Sequence, residues 1–503
     1  MLQIITQIFQ QYSDKSAFCI AGQRYSYEEL GCYVAGIRVL LQQVKPDAHF
    51  INLISYDSIE TYASILAIWL EGYAFVPLSP TSPKDRNTDI INQVESNWVL
   101  SSERDFEKVI DTENIRFIST QNKKNKRPNW SFTERDKDQI ICMLFTSGST
   151  GLPKGVPYTS INIHTTMDAF LAQDYQLNHQ DRFLQMFELT FDMSLLSYLS
   201  AWYHGAEIYT VGYDQVKYLK AYQLIQEHEL TFVVMVPSTL NFLRPYFKQM
   251  QLPSVKYSLI GGEPFYADLA EDWMACLPNA TVINISGPCE TTMLCVSYEL
   301  SRDFSKNKSH KNKLAFGYTW KNTTSILVDD NLNQVENGQE GELCFAGSNV
   351  MNGYWKLPEK NKTVFFEKKI DGKKHHFYRS GDMAFLDEEG TLHTCGRKDH
   401  QHKILGYKVE LGEIEQLSRS FTNNNSIAVV SQLENGVDVI YLFVENDHLQ
   451  NDELMSFLQK KLPPYMIPKV IKGLASFPTT ISGKVDRNQL LQLINERLIK
   501  KKG

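Results

Sequence analysis

Short apolar runs rich in β-branched residues recur through the first three hundred positions. Residues 50–54, 74–78, 231–236 and 281–285 are examples, each of a length that suits a buried strand. Between them, residues 58–71 and 216–229 return apolar side chains every three or four positions, the helical period. Alternation of this kind predicts an α/β fold with largely parallel strands and a ligand site near their carboxyl ends. The texture changes after a polar, lysine-rich connection at 301–315. Short strands at 325–328, 341–345 and 391–394 predict a β-rich subdomain there. A second change comes at 396–403. It is followed by a helix carrying Glu413 and Glu415, strands within 427–445 and a helix near 451–462. The expectation is a large N-terminal domain, 1–398, and a small mobile α+β domain, 399–503, of an ordinary size for one unit.

Bulk properties narrow the class. A chain of 503 residues with 43% hydrophobic and 22% charged residues can bury a sizeable core, as a soluble globular enzyme does. A net charge of -7 gives no overall basic field for nucleic acid, and the local lysine clusters read as solvated loops and tail. The first nine residues pattern as an amphipathic helix and not as a signal peptide, and no apolar run reaches transmembrane length. The eight cysteines include no CxxC pair, which argues against a zinc site or disulfide framework. A cytoplasmic monomer without nucleic-acid or membrane partners is expected.

The most informative segment is Leu144-Phe-Thr-Ser-Gly-Ser-Thr-Gly-Leu-Pro-Lys-Gly155. Glycines let backbone N–H groups approach an anion closely, hydroxyls add donors, and Lys154 adds a positive charge. This is the chemistry of a polyphosphate-binding loop, although no Ser or Thr follows Lys154 as in P-loop NTPases. Downstream, Ser286-Gly-Pro-Cys-Glu290 places a carboxylate just past a buried strand, where it suits either Mg²⁺ or a helical first turn. Tyr378-Arg-Ser-Gly-Asp382 sets an acid after a Ser-Gly turn, as ribose-binding acids are set. Gly396-Arg397-Lys-Asp399 and Ile481-Ser-Gly-Lys484 add cations and a possible hinge acid.

Taken in this order, from Glu71–Pro80 through these motifs to Leu462–Pro468 and Gly483-Lys484, the chain resembles the adenylate-forming superfamily. It looks most like the amino-acid-activating branch, including free-standing ligases that serve D-alanine or proline. The resemblance implies ATP and Mg²⁺ as cofactors. It gives Thr146, Ser147, Gly148, Ser149, Thr150, Gly151 and Lys154 to the phosphates, with Thr146 and Lys154 also catalytic. Glu290 would bind Mg²⁺. Gly262, Asn284, Ser286, Gly287, Thr291, Asp382 and Arg397 would surround the nucleotide. Lys484 would bridge substrate and nucleotide during adenylation, Asp399 would be the hinge, and Gly406 would line the pantetheine tunnel in the second half-reaction.

Phe191-Asp192 matches the position where the amino-acid branch pairs an aspartate with the substrate's α-ammonium. The same alignment makes Met193, Leu196, Val234, Leu259, Gly261, Ile285, Met293 and Leu294 the side-chain pocket, all uncharged. A pocket like that rejects charged side chains, whose desolvation would go uncompensated. Three departures stand out: Ser286 in place of an adenine-stacking aromatic, Cys289 in place of threonine, and Lys408 in place of arginine. The expected activity is formation of a small or medium aliphatic aminoacyl-AMP and its transfer to a separate phosphopantetheinylated carrier protein. The alternatives are an acyl- or aryl-CoA synthetase and a non-catalytic binder of nucleotide or carrier protein.

Overall fold

Two helices hold the large domain together because they are apolar on every side. In Ile59–Glu71 all residues but Glu60 and Glu71 are buried, and in Met193–His204 only His204 is not. A helix with no polar face belongs inside. Both join a core that takes side chains from two separate sheets. Ser58 caps the first helix by accepting from the Thr61 N–H, and Gly72 ends it at φ +105°.

A computed structural model describes all residues except 133–135, 149–151, 399–400, 423–426, 447–450, 480–484 and 501–503. Among the described residues, one sheet has six strands and another nine. The first runs parallel through Phe50–Ile54, Ala74–Leu78 and Ile140–Thr146, and closes with the antiparallel strand Lys154–Thr159. The second is parallel through Arg182–Gln185, Phe232–Met235, Tyr257–Gly261 and Thr281–Ser286. Strand ends at Leu78, Thr146, Gly261 and Ser286 lead directly into residues that line one shared cavity.

A five-stranded antiparallel sheet follows, formed by Thr323–Val328, Gly341–Gly347, Phe365–Ile370, Lys373–Leu386 and Leu392–Arg397. This is the β-rich subdomain that the sequence implied. After it come a hairpin, Gln401–Ile404 with Tyr407–Glu410, and a three-stranded sheet, Ile427–Glu434, Val437–Val444 and Val470–Gly473. Helices Leu411–Thr422 and Asn451–Lys461 pack on that sheet through their own apolar core. The architecture is a large α/β domain, with its β-rich subdomain, and a small α+β domain.

Two local expectations change, at 378–382 and at 301–315. The phosphate-loop segment joins two antiparallel strands, with Thr146 paired opposite Lys154. Residues 378–382 are not a free turn. They sit inside the long strand Lys373–Leu386, where Gly381 at φ +78° accompanies register shifts against both neighbouring strands. The connection at 301–315 forms a 3₁₀ turn and a two-stranded ladder, Ser309–His310 with Lys313–Leu314. Among the described residues no helix is long and apolar enough to cross a membrane.

Trp202 is fully buried against the rings of Phe9, Phe18 and Tyr198, and its indole N–H has no partner among the described residues. Trp202→Ala should destabilise the large domain by about 3–5 kcal/mol, seen as a lower urea midpoint at unchanged slope. Trp202→Phe, which removes the unpaired donor together with part of the ring, should cost clearly less.

Candidate active site

The phosphate-loop residues meet where Ile140–Thr146 turns back into Lys154–Thr159. Gly148 has no room for a side chain, because a Cβ would lie 2.1 Å from the Leu152 carbonyl oxygen. The Lys154 ammonium is buried above the Tyr354 ring and 2.8 Å from Glu410 Oε1. Burial, reinforced by Lys408, lowers its pKa, while Glu410 and Glu290 oppose the shift. Thr146 Oγ1 is buried with no hydrogen-bond partner among the described residues. Ser149, Thr150 and Gly151 lie outside the described residues.

Glu290 sits in the 3₁₀ turn Cys289–Thr291 that follows the strand Thr281–Ser286, and is fully buried. The turn is tight because Gly287 packs on the Leu294 backbone, where a Cβ would meet Cα at 2.4 Å. Burial alone would push the carboxyl up, but the Lys408 ammonium at 2.8 Å, the Tyr354 hydroxyl and Lys154 outweigh it and hold the group at about 2. Glu290 Oε1 accepts from Tyr354 and Lys408, while Oε2 has no partner among the described residues. Glu290 Oε2 and Thr146 Oγ1 are thus orphaned, buried oxygen atoms, the hard donors that Mg²⁺ takes. The donor set fits such an ion.

Asp382 and Arg397 face one another across adjacent strands at 2.7 Å, and the guanidinium also reaches the Ser380 carbonyl and Gln401. The Ser380 hydroxyl accepts from the Asp382 N–H, fixing the acid at the bulge. Both line the cavity together with Gly262, Ser286 and Gly287. Two nucleotide residues expected from the sequence do not join them. Asn284 turns its amide to the Ala315 carbonyl, and Thr291 donates to the Pro288 carbonyl.

The amino-acid pocket is shorter than the sequence implied. Asp192, Met193, Ile285, Met293 and Leu294 line the cavity. Leu196, Val234 and Leu259 are fully buried but do not reach it, and the space beside Gly261 is taken by the Ile285 carbonyl, 2.2 Å from a hypothetical Cβ. Asp192 occupies the N-cap position of helix Met193–His204 without a capping hydrogen bond from its side chain. Burial pushes its carboxyl up to about 7, partly countered by Lys403 and the Cys289 thiol.

The small domain supplies one wall. Its hairpin brings Lys403, Gly406, Tyr407 and Lys408 to the cavity. Gly406 at φ +84° lies against Val236 and Phe191, where a Cβ would come within 2.8 Å of Val236 Cγ1, and its N–H donates to Glu263. Arg86 of the large domain forms a buried ion pair with Glu413 at 2.7 Å. Arg86, Glu263, Tyr354, Lys403 and Glu410 were not singled out by sequence reasoning. Lys403, Glu410 and Tyr354 carried a signal, since they fall inside the stretches 396–415 and 341–355 over which the family resemblance runs. Asp399 and Lys484 lie outside the described residues.

A family model described as AMP-binding enzyme matches residues 5–355. The chain belongs to that family. It is an AMP-forming adenylation enzyme that uses ATP. Delta-poly-L-ornithine synthetase of Acinetobacter baumannii is 29% identical over 97% of this chain and 36% of its own length. Tyrocidine synthase 1 of Brevibacillus parabrevis is 27% identical over 97% of this chain and 44% of its own length. The enzyme therefore spans less than half of these relatives. Its fold matches the Vibrio cholerae adenylation domain AlmE, solved with glycyl-adenosine-5'-phosphate, at a TM-score of 0.86 and 23% identity, covering 98% of this chain and 97% of that one. It matches holo-PA1221, a protein containing adenylation and PCP domains, at 0.84 and 22%, covering 97% and 83%. The o-succinylbenzoate CoA synthetase of Bacillus subtilis matches at 0.81 and 21%, covering 97% and 98%.

Arg86→Met leaves Glu413 as a buried, unpaired carboxylate between the domains. A buried pair broken from one side typically costs about 3–5 kcal/mol. The variant's small domain should leave its docked position, giving a larger radius of gyration by small-angle X-ray scattering. An unchanged scattering profile would remove Arg86 from the docking contacts that matter.

Proposed function

We propose that the enzyme activates a small, uncharged amino acid as its aminoacyl-AMP and passes the aminoacyl group to the phosphopantetheine thiol of a separate carrier protein. The observation that carries this reading is Asp192: a buried carboxylate at the cavity wall, not used to cap its helix, above a short apolar pocket. A desolvated carboxylate calls for a cationic partner, and an α-ammonium is one. The fold alone does not choose the substrate, since it is shared with a CoA synthetase. The AlmE structure holding a glycyl adenylate, and the PA1221 protein joining adenylation and PCP domains, support an amino acid and a carrier.

In the first step the substrate carboxylate attacks the α-phosphate and pyrophosphate leaves. The chain's contribution is position and charge. Asp192 would hold the ammonium, Asp382 the ribose hydroxyls beside Arg397, and Lys154 with the Ser147 and Gly148 donors the departing phosphates. Thr146 and Glu290 would hold Mg²⁺, which supplies charge neutralisation on the phosphates. Lys484 belongs to this step as a bridge between carboxylate and nucleotide. In the second step the thiol attacks the mixed anhydride and AMP leaves, with Gly406 beside the thiol's path.

Glycine and alanine should lead a pyrophosphate-exchange panel, with proline and valine behind, because the pocket ends at Met193, Ile285, Met293 and Leu294. Neighbours one methylene apart should differ by only about 1–3 kcal/mol. Asp192→Ala should lose amino-acid-dependent exchange while keeping ATP binding by calorimetry. Highest exchange with ornithine, lysine or glutamate would overturn the pocket reading. Exchange with a carboxylic acid lacking an amine, undiminished by Asp192→Ala, would move the enzyme to the acyl-CoA synthetases.

The raised acid gives a pH signature. Below about 7 the empty site holds Asp192 neutral, and binding an ammonium requires its proton to leave. Affinity for the amino acid should therefore fall as pH drops below about 7, by roughly tenfold per pH unit, and be level just above it. Calorimetric titration from pH 5 to 8 should show this slope in the wild type and a flat profile in Asp192→Asn.

A further inference from the structure

Cys289 is a side chain of the cavity wall with no part in the two chemical steps. It stands where the family pattern has threonine, half-buried, in the wall that also holds Asp192 and Met193. Behind it lies Tyr158, fully buried on the strand Lys154–Thr159. The Tyr158 hydroxyl donates to the Cys289 carbonyl at 2.7 Å and lies 3.1 Å from Sγ. A phenol has a single proton, and the carbonyl takes it. The thiol therefore acts as a donor, with two acceptors in reach: the Tyr158 oxygen and the Asp192 carboxyl. Burial first, then Asp192 and Glu290, keep its proton on. Lys403 acts on Asp192 by charge alone, whereas Cys289 gives it a hydrogen bond. A strand, a 3₁₀ turn and a helix N-terminus are thus joined in the order Tyr158, Cys289, Asp192.

We propose that Cys289 is a positioning residue for the amino acid: its thiol, backed by Tyr158, turns the Asp192 carboxylate toward the α-ammonium and, as a weak donor, leaves that carboxylate in need of a ligand with its own positive charge. The inference rests on the reading of Asp192 as the ammonium's partner. An S–H is a weaker donor than an O–H. A serine or threonine hydroxyl at 289 would satisfy the carboxylate more fully, and a ligand with only a hydroxyl at its α-carbon would then be tolerated. The thiol fixes direction without supplying much of the missing charge. It also has somewhere to turn when the acid carries its own proton, because the Tyr158 oxygen accepts it. No buried donor is stranded in either state. Discrimination against α-hydroxy acids follows. A polar group left unpaired by the wrong ligand rejects it more strongly than one already satisfied. The departure from threonine thereby acts on the α-substituent, whereas Met193, Ile285, Met293 and Leu294 limit the side chain.

Calorimetric titration of the full chain with alanine, lactate and ATP tests this. Cys289→Ala should weaken alanine by about tenfold while ATP binds as in the wild type. Cys289→Ser should hold alanine within about twofold and tighten lactate by about fivefold or more, because its hydroxyl is the stronger donor. In an Asp192→Asn background, Cys289→Ala should change alanine affinity by less than about twofold, since the thiol acts through the carboxylate. In the infrared difference spectrum of the wild type, alanine should move an S–H stretching band to lower frequency, and Cys289→Ser should abolish that shift. The spectrum decides even if Cys289→Ala fails to fold. Alanine bound equally by wild type and Cys289→Ala, no S–H shift, or an unchanged alanine-to-lactate ratio in Cys289→Ser each overturns the proposal. So does equal weakening of ATP and alanine by Cys289→Ala, which would make the residue a packing element. In all these cases the reading of Asp192 stands as long as Asp192→Asn itself weakens alanine. Alanine affinity untouched by Asp192→Asn, or no binding of alanine or glycine to the wild type, overturns the proposal together with the reading beneath it.

Discussion

A carboxylate with no access to water must be answered by positive charge, and the centre of this enzyme is arranged around that requirement at Glu290. The residue is fully buried, and it remains ionised only because Lys408, Lys154 and the Tyr354 hydroxyl converge on it. These partners come from different parts of the chain. Lys154 begins a strand of the six-stranded sheet, Tyr354 precedes the β-rich subdomain's second hairpin, and Lys408 belongs to the small domain. The backbone locks the arrangement further, since the Met351 N–H donates to the Glu290 carbonyl. The one buried charge therefore ties both sheets, the β-rich subdomain and the small domain to a common point. Removing any one cation leaves the others closer to mutual repulsion or Glu290 closer to protonation.

The small domain's seat follows from the same electrostatics. Its contacts with the large domain are mostly ionic or polar: Lys408 with Glu290, Glu410 with Lys154, Glu413 with Arg86 and Gly148, Gly436 with Asn241. Apolar contact adds Phe191, 5.3 Å from Tyr407, and Val236 against Gly406, while Tyr407 is itself stacked at 4.0 Å on Tyr465 within the small domain. An interface built from buried ion pairs is strong while every charge is matched and weak as soon as one partner finds another ligand. That is the property a domain needs if it must leave and return within one catalytic cycle. A large apolar interface would have fixed it in one place.

Elements with a strong period were legible from sequence because burial imposes the period. The strands at 50–54 and 74–78 and the helix beginning after Ser58 lie where the apolar pattern put them. The twelve-residue loop and Glu290 were legible because glycines, hydroxyls and a lysine in that order have few purely structural uses. What the sequence could not display was pairing across long separations. Nothing near Arg86 announces that it meets Glu413, more than three hundred positions on, or that Tyr354 donates to Glu290. Helix Tyr27–Val44 escaped notice although Ser26 and Glu29 form a full capping box, because its buried face mixes Arg38, Gly31 and Cys32 with the aliphatics and blurs the period. Leu196, Val234 and Leu259 were expected in the pocket, but their side chains are buried in packed core and do not line the cavity.

The pocket's depth and the enzyme's two acids are linked by a final geometric constraint. Asp192 and Glu290 are both buried, and Cys289 neighbours both: its thiol lies 3.1 Å from the Tyr158 hydroxyl, and burial first, then each acid, pushes its pKa up. A second full negative charge next to Glu290 would be repelled, which is one reason Asp192 is driven toward its neutral form while Glu290 is not. The two carboxylates thus divide their roles by the cations available to them. Glu290 has its ammonium from the chain, and Lys408 with Lys154 keeps it ionised. Asp192 has only the more distant Lys403 and becomes fully ionised when a ligand brings its own positive charge. A compound that lacks an ammonium leaves that carboxyl neutral and gains nothing from it. A compound with a long charged side chain meets the packed Gly261–Ile285 contact before it meets any partner. On the proposed reading, selectivity for a short amino acid would arise from two refusals as much as from one attraction.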